Sequence, residues 1–131
     1  MKNTMEESYT VKVVKDVESG KVLSQAWFNA AGQEHNTSGP AVVEYGPDGE
    51  PVRQCWMQNG QFHRDEADGP AIITRNPDDD TLLVKFLQNN RLHRIDGPAV
   101  VHKFETTGEL ISERFFRDGH LYRPWLRLQT P

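Results

Sequence analysis

Three stretches of this chain are variants of one another. Gln33–Val43 reads QEHNTSGPAVV, Gln61–Ile73 reads QFHRDEADGPAII, and Leu92–Val101 reads LHRIDGPAVV. Each has a histidine, a short polar step, Gly-Pro-Ala and two β-branched residues. An internal repeat constrains a fold more than any single residue does, because each unit must bury its apolar face against its neighbours. Three landmarks carry the period. The aromatic series Phe28, Trp56, Phe86 and Phe115 steps by 28, 30 and 29 residues. The series His35, His63, His93 and Tyr122 steps by the same amounts. The third is a set of turn sequences at Gly20, Gly49, Asp78-Asp79-Asp80 and Gly108.

Within a unit the local chemistry is β. Val11–Val14, Ala41–Tyr45, Ala71–Thr74 and Ala99–Phe104 are short β-rich runs. Each leads through a turn to a return strand: Val22–Phe28, Pro51–Gln58, Leu82–Gln88 and Ile111–Arg117. Gly46-Pro47-Asp48-Gly49 is a strong turn sequence, and Asn59-Gly60 is a favoured type I′ hairpin pair. Asn89-Asn90 stands in the same place one unit on, and Asn is a residue that tolerates positive φ. No segment sustains a 3.6-residue apolar period. The pattern predicts an all-β protein: an antiparallel meander of about four repeated hairpins of 28–30 residues in one elongated, twisted sheet. Equivalent residues would stack, so Phe28, Trp56, Phe86 and Phe115 would form a continuous aromatic ridge. The expected division is a polar segment over 1–9, one repeat domain over 10–124 and a C-terminal cap over 125–131. Trp125 and Leu126 in that cap would fold back over the last hairpin.

Composition sets limits on function. With 131 residues and a 36% hydrophobic content the chain is long enough for one modest core. The formal charge of −4 provides no global field for nucleic acid. The single cysteine, Cys55, excludes an intrachain disulfide and favours a reducing compartment. MKNTMEESYT has no apolar core like that of a signal peptide, and no run approaches the ~18 apolar residues of a membrane span. The expectation is a soluble cytoplasmic protein that neither enters nor binds a membrane.

Repeated histidines suggest a metal, but the geometry is unfavourable. Equivalent positions in adjacent hairpins lie two strands apart, roughly 9–10 Å, whereas zinc ligands must come within about 3.5 Å of one another. The histidines are expected instead to hydrogen-bond the Gly-Pro turn of their own unit, beside Ser38, Asp68 and Asp96. Asp78-Asp79-Asp80 lacks the alternating ligands and distal Glu of a calcium loop. No nucleophile has an evident paired base, so no cofactor, metal or catalytic residue is expected and the chain is read as non-enzymatic. A basic second half, with Arg64, Lys85, Arg91, Arg94, Lys103, Arg114, Arg117, Arg123 and Arg127 among aromatics, supports an alternative as a nucleic-acid-binding module.

Strand alternation points to a different surface. Trp27, Met57, Leu87 and Phe116 alternate with the expected ridge and would face the other way, with Cys55 nearby. A contiguous apolar strip on a single-layer sheet marks a protein contact or a dimer interface. A two-residue insertion between His63 and Asp68 makes Asp65-Glu66-Ala67 a protruding loop, with Asp65 and Glu66 as specificity elements. Strand addition at a sheet edge is a second route to a partner.

Units such as NGQFHRDEADGPAII and NNRLHRIDGPAVV resemble MORN-like repeats, in particular a variant of small bacterial and phage proteins. The resemblance covers roughly residues 25–123, with longer units than ordinary MORN repeats and a distinct Gly-Pro-Ala step. It implies one hairpin per unit and a binding or scaffolding role. Its most concrete version is a phage- or mobile-element-encoded inhibitor of a bacterial enzyme or defence complex, anti-CRISPR or antitoxin-like.

Overall fold

A computed structural model describes residues 3–125. The strands are β1 (Thr10–Lys15), β2 (Val22–Phe28), β3 (Val42–Tyr45), β4 (Pro51–Cys55), β5 (Met57–Gln58), β6 (Gln61–Phe62), β7 (Ile72–Asn76), β8 (Thr81–Lys85), β9 (Leu87–Gln88), β10 (Arg91–Leu92), β11 (Val100–Phe104), β12 (Leu110–Arg117) and β13 (His120–Tyr122). Nine of them form one open antiparallel meander in the order β1-β2-β3-β4-β7-β8-β11-β12-β13. The all-β class and the antiparallel meander agree with the expectation from sequence.

The return strands do not run as single pieces in the middle units. Pro51–Gln58 divides into β4 and β5 at Trp56, and Leu82–Gln88 divides into β8 and β9 at Phe86. The cause is a change of backbone partner. Trp56 N–H donates to Ala71 O at 2.7 Å while its carbonyl accepts from His63 N–H at 3.0 Å. Phe86 repeats both bonds, with Ala99 O at 2.7 Å and His93 N–H at 2.9 Å. The chain then leaves the main sheet for a two-residue ribbon, β5-β6 or β9-β10, closed by a turn with positive φ at both central residues. Asn59 and Gly60 have φ of 50° and 80°, and Asn89 and Asn90 have 50° and 67°. This is the I′ signature expected of those pairs.

The same hydrogen bonds correct the register of the first unit. Trp27, not Phe28, donates to Ala41 O at 2.8 Å and accepts from His35 N–H at 3.0 Å. Trp27 is therefore the equivalent of Trp56, Phe86 and, through the Phe115–Tyr122 pair, Phe115. Phe28 bridges to Glu34 as Met57 does to Phe62, Leu87 to Leu92 and Phe116 to Leu121. The displacement arises because the turn Asn29–Gln33 carries one residue more than the Gln58–Gln61 turn.

The aromatic residues do not stack on one another as a continuous ridge. Each middle ring is faced by a guanidinium from its own unit. Arg64 Cζ lies 3.8 Å from the Trp56 ring centroid and Arg94 Cζ lies 3.9 Å from that of Phe86. The outer side of each guanidinium meets the Gly-Pro step. Arg64 Nη1 donates to Pro70 O at 3.0 Å and Arg94 Nη1 to Pro98 O at 3.1 Å. In the first unit Asn36 Nδ2 makes the equivalent bond to Pro40 O at 3.1 Å. In the second unit glycine is favoured before the proline because a Cβ on Gly69 would stand 2.7 Å from Arg64 Nη1, at a φ of +131°. The following alanines, Ala41, Ala71 and Ala99, are fully buried. Around Ala41 the core gathers Cys55 and Met57, with Val42, Phe62 and Ile72 packed against it.

Units are joined through their ribbons. Gly60, Asn90 and Gly119 N–H donate to Glu34, Phe62 and Leu92 carbonyls at 2.8–2.9 Å. The histidines complete the joint, and with a different partner from the one expected. His35, His63 and His93 accept at Nδ1 from the backbone N–H of Asn59, Asn89 and Asp118 in the next unit's turn, at 2.9, 3.2 and 3.0 Å. At the far end Trp125 packs edge-on against Phe115 at 6.0 Å, while Leu126–Pro131, the rest of the expected cap, lie outside the described residues.

Three substitutions separate the contributions of the guanidinium and of the Gly-Pro step. Arg94→Ala is expected to destabilise by about 2–3 kcal/mol, from the lost ring contact and the lost bond to Pro98. Gly69→Ala, where both space and φ oppose a Cβ, should cost more than Gly49→Ala, where φ is +84° but no atom lies within 4 Å. Urea unfolding of the three variants measures both differences.

Candidate interaction surface

The expected contact strip is not a surface as a whole. Met57 is 6% exposed and Leu87 is 7% exposed, so both are core residues and are not available to a partner. They are covered because each ribbon lies against the loop of the preceding unit, with Asn36 N–H bonded to Met57 O at 3.2 Å and Arg64 N–H to Leu87 O at 3.2 Å. Trp27 and Phe116 are half-buried. Trp27 also belongs to the other ladder, so it does not share a strip with Met57, Leu87 and Phe116.

The inserted loop is likewise divided. Asp65 and Ala67 are exposed, but Glu66 is half-buried and turned onto the following unit. Its carboxylate accepts from Ile95 N–H at 3.0 Å and Asp96 N–H at 3.2 Å. Those two donors, with smaller help from Arg94 and His93, hold the Glu66 carboxyl below the usual carboxylate range against a partial desolvation cost. Glu66 is thus a clamp between loops rather than a free specificity element. Glu7 plays a similar part at the first loop, accepting from Thr37 Oγ1 at 2.8 Å and from the Tyr9 hydroxyl. Tyr9 stacks on His35 at 6.1 Å, so the polar N-terminal segment is tied to the first unit.

Among the described residues, the candidate reactive and ion-binding groups are dispersed. Cys55 is 1% exposed, and burial pushes its thiol pKa up, which disfavours the nucleophilic thiolate. Asp79 accepts from Thr81 and Asp80 from Thr106, as turn carboxylates do. Among the described residues, no three His, Cys, Asp or Glu side chains converge on a point. The arginines of the nucleic-acid alternative are partly engaged. Arg64 and Arg94 lie within the aromatic stack, and Arg117 covers Tyr122 at 4.8 Å. Arg127 lies outside the described residues.

Among the described residues, the two larger depressions differ in character. One, of about 590 Å³, separates the first and second Gly-Pro loops and is lined by polar groups of Thr37, Ser38, Gln58, Asp65, Asp68 and Gln88 beside Trp56. The other, of about 760 Å³, is mostly apolar and lies between the β1-β2 and β3-β4 turns. Val22, Leu23, Gln25, Tyr45 and Pro47 line it, and Asp16, Lys21 and Asp48 ring it. The Tyr45 hydroxyl donates to Gln25 Oε1 at 3.4 Å, and Lys21 Nζ reaches Pro47 O at 3.4 Å across the groove. Leu23 is 47% exposed. Its visibility in the sequence was limited to one sign: Val22 and Leu23 are consecutive apolar residues on one strand, so a strict alternation cannot bury both. On the neighbouring β1, outside the groove, Val11 and Val13 are each 44% exposed on one face and Val14 is 53% exposed on the other.

Compared with known proteins, the chain matches no protein-family model, no curated protein and no solved structure. The likeness to MORN repeats rests on the repeat units themselves.

The Glu66 clamp has a pH signature. Its folded pKa lies below the ordinary carboxylate value of 4.5, so its contribution is present above that value and is lost as pH falls through the folded pKa. Glu66→Gln should cost less than about 1 kcal/mol at neutral pH, because the site is solvated. The gap between variant and wild type should close in acid. Denaturant titrations at several pH values test this, and a gap that persists in acid would contradict the clamp.

Proposed function

We propose that this chain is a non-enzymatic protein-binding β-repeat module whose contact region is the apolar groove of the first two hairpins. The observation that carries this is the mostly apolar lining of that groove, with an exposed leucine in it. Leu23 is 47% exposed in a groove lined also by Val22, Tyr45 and Pro47, whereas Met57 and Leu87 of the middle units are interior. An apolar floor with a charged rim is the arrangement that accepts a hydrophobic anchor from a partner and orients it by polar contacts.

The more specific version is a small phage- or mobile-element-type inhibitor of a bacterial enzyme or defence complex. It is supported by the resemblance of the units to MORN-like repeats.

A pull-down from bacterial lysate, with and without nuclease, compares wild type with Leu23→Asp. Leu23 is exposed, so the variant should fold and keep its circular dichroism spectrum. A protein recovered by wild type, insensitive to nuclease and reduced at least tenfold with Leu23→Asp is the expected outcome. Recovery that disappears with nuclease and ignores Leu23→Asp would favour the nucleic-acid-binding alternative. A recovered enzyme is then assayed with stoichiometric module, where loss of its activity supports inhibition.

A further inference from the structure

The main sheet is open, and its two ends are unlike each other. At one end β1 has a single strand partner, β2, and all six of its residues are exposed. At the other end β13 pairs only with Phe115–Arg117 of β12. Among the described residues, the Leu110–Arg114 part of β12 is therefore paired on one side only, with β11. Leu110 and Ile111 are 50% and 43% exposed. Each end presents a row of backbone donors and acceptors that a further strand can use.

The ends also differ in charge. The β1 sequence TVKVVK carries Lys12 and Lys15 and no acidic residue, whereas Glu109–Arg114 reads ELISER, with two carboxylates and one base, Arg114. Lysine on an edge strand ordinarily discourages pairing with a neutral or basic strand. It favours an acidic one, and this chain carries such a strand at its opposite end. Direction fits as well. Every adjacent pair in the meander is antiparallel, and β1 and β12 are separated by an even number of strands. They therefore point in opposite directions, and a second copy displaced along the sheet sets its β1 antiparallel to β12 of the first.

We infer that this protein associates with itself head to tail, with β1 of one copy adding to the Leu110–Arg114 edge of the next. In one register Glu109 stands opposite Lys15, Leu110 opposite Val14 and Ile111 opposite Val13, and no like charges are opposed. Pairing of this kind joins opposite charges and apolar side chains across strands. It is heterologous, so chains of copies form rather than closed pairs. This contact goes beyond the groove of the proposed function, because it uses the sheet edges and a second copy of the same chain.

The test is a charge exchange on purified full-length protein. Sedimentation analysis across a hundredfold concentration range should show the wild-type mass rising above the 15.0 kDa of one chain and falling back with added salt. One variant carries Lys12→Glu and Lys15→Glu, and the other Glu109→Lys and Glu113→Lys. All four positions are exposed, so circular dichroism should be unchanged. Each variant alone is expected to weaken association at least tenfold, and an equimolar mixture to restore it, since each supplies the edge that the other now needs. Three outcomes would overturn the inference. The wild type could stay at one chain's mass throughout, the β12 variant could associate as wild type does, which denotes a two-fold β1–β1 contact, or the mixture could fail to recover. Leu23→Asp should leave self-association intact, so failure of the groove and failure of the edges are separable.

Discussion

The contact on which the fold depends is a planar cation held between an aromatic ring and a Gly-Pro step. In the middle units an arginine one residue after the histidine lies over Trp56 or Phe86 and donates to the carbonyl of Pro70 or Pro98. That single group does three things. It covers a ring that a one-layer sheet would leave wet, it satisfies a loop carbonyl, and it fixes the path by which the chain re-enters the sheet. Lysine lacks the plane and the forked donors to do all three. In a thin protein with few fully buried side chains, such contacts replace the deep core of a two-layer fold.

This explains why the repeated motif is legible while its meaning is not. The period, the β character and the positive-φ turns at Asn59-Gly60 and Asn89-Asn90 follow from local chemistry, and the structure has them. The division of the return strands at Trp56 and Phe86 does not, because it is set by bonds to alanines about fifteen residues away. The displaced register of the first unit was visible in principle. Trp27, Trp56, Phe86 and Phe115 step more evenly than the series that begins at Phe28, but a ladder of rings is equally plausible from either start.

The contact surface was harder to read for a physical reason. Alternation along a strand separates two faces, yet it cannot show which is later covered by another part of the repeat. Met57 and Leu87 alternate correctly and are still interior, since the short ribbons fold against the neighbouring unit. Glu66 appears in sequence as part of an insertion, and its bonds to Ile95 and Asp96 depend on the spacing between loops. Conversely, Leu23 and Tyr45 belong to different units and come together only because β2 pairs with β3. Apolar exposure is greatest where the array has no further unit to cover it.

The histidine joint has an evolutionary consequence. Each interior unit offers an imidazole acceptor at one side and a turn N–H at the other, so its two sides fit together irrespective of position. Duplication or loss of one whole unit would preserve the type of every joint while moving the two ends apart or closer. Array length is therefore a quantity that selection can change in single genetic steps, leaving the specialised end hairpins intact as the spacing between them is altered.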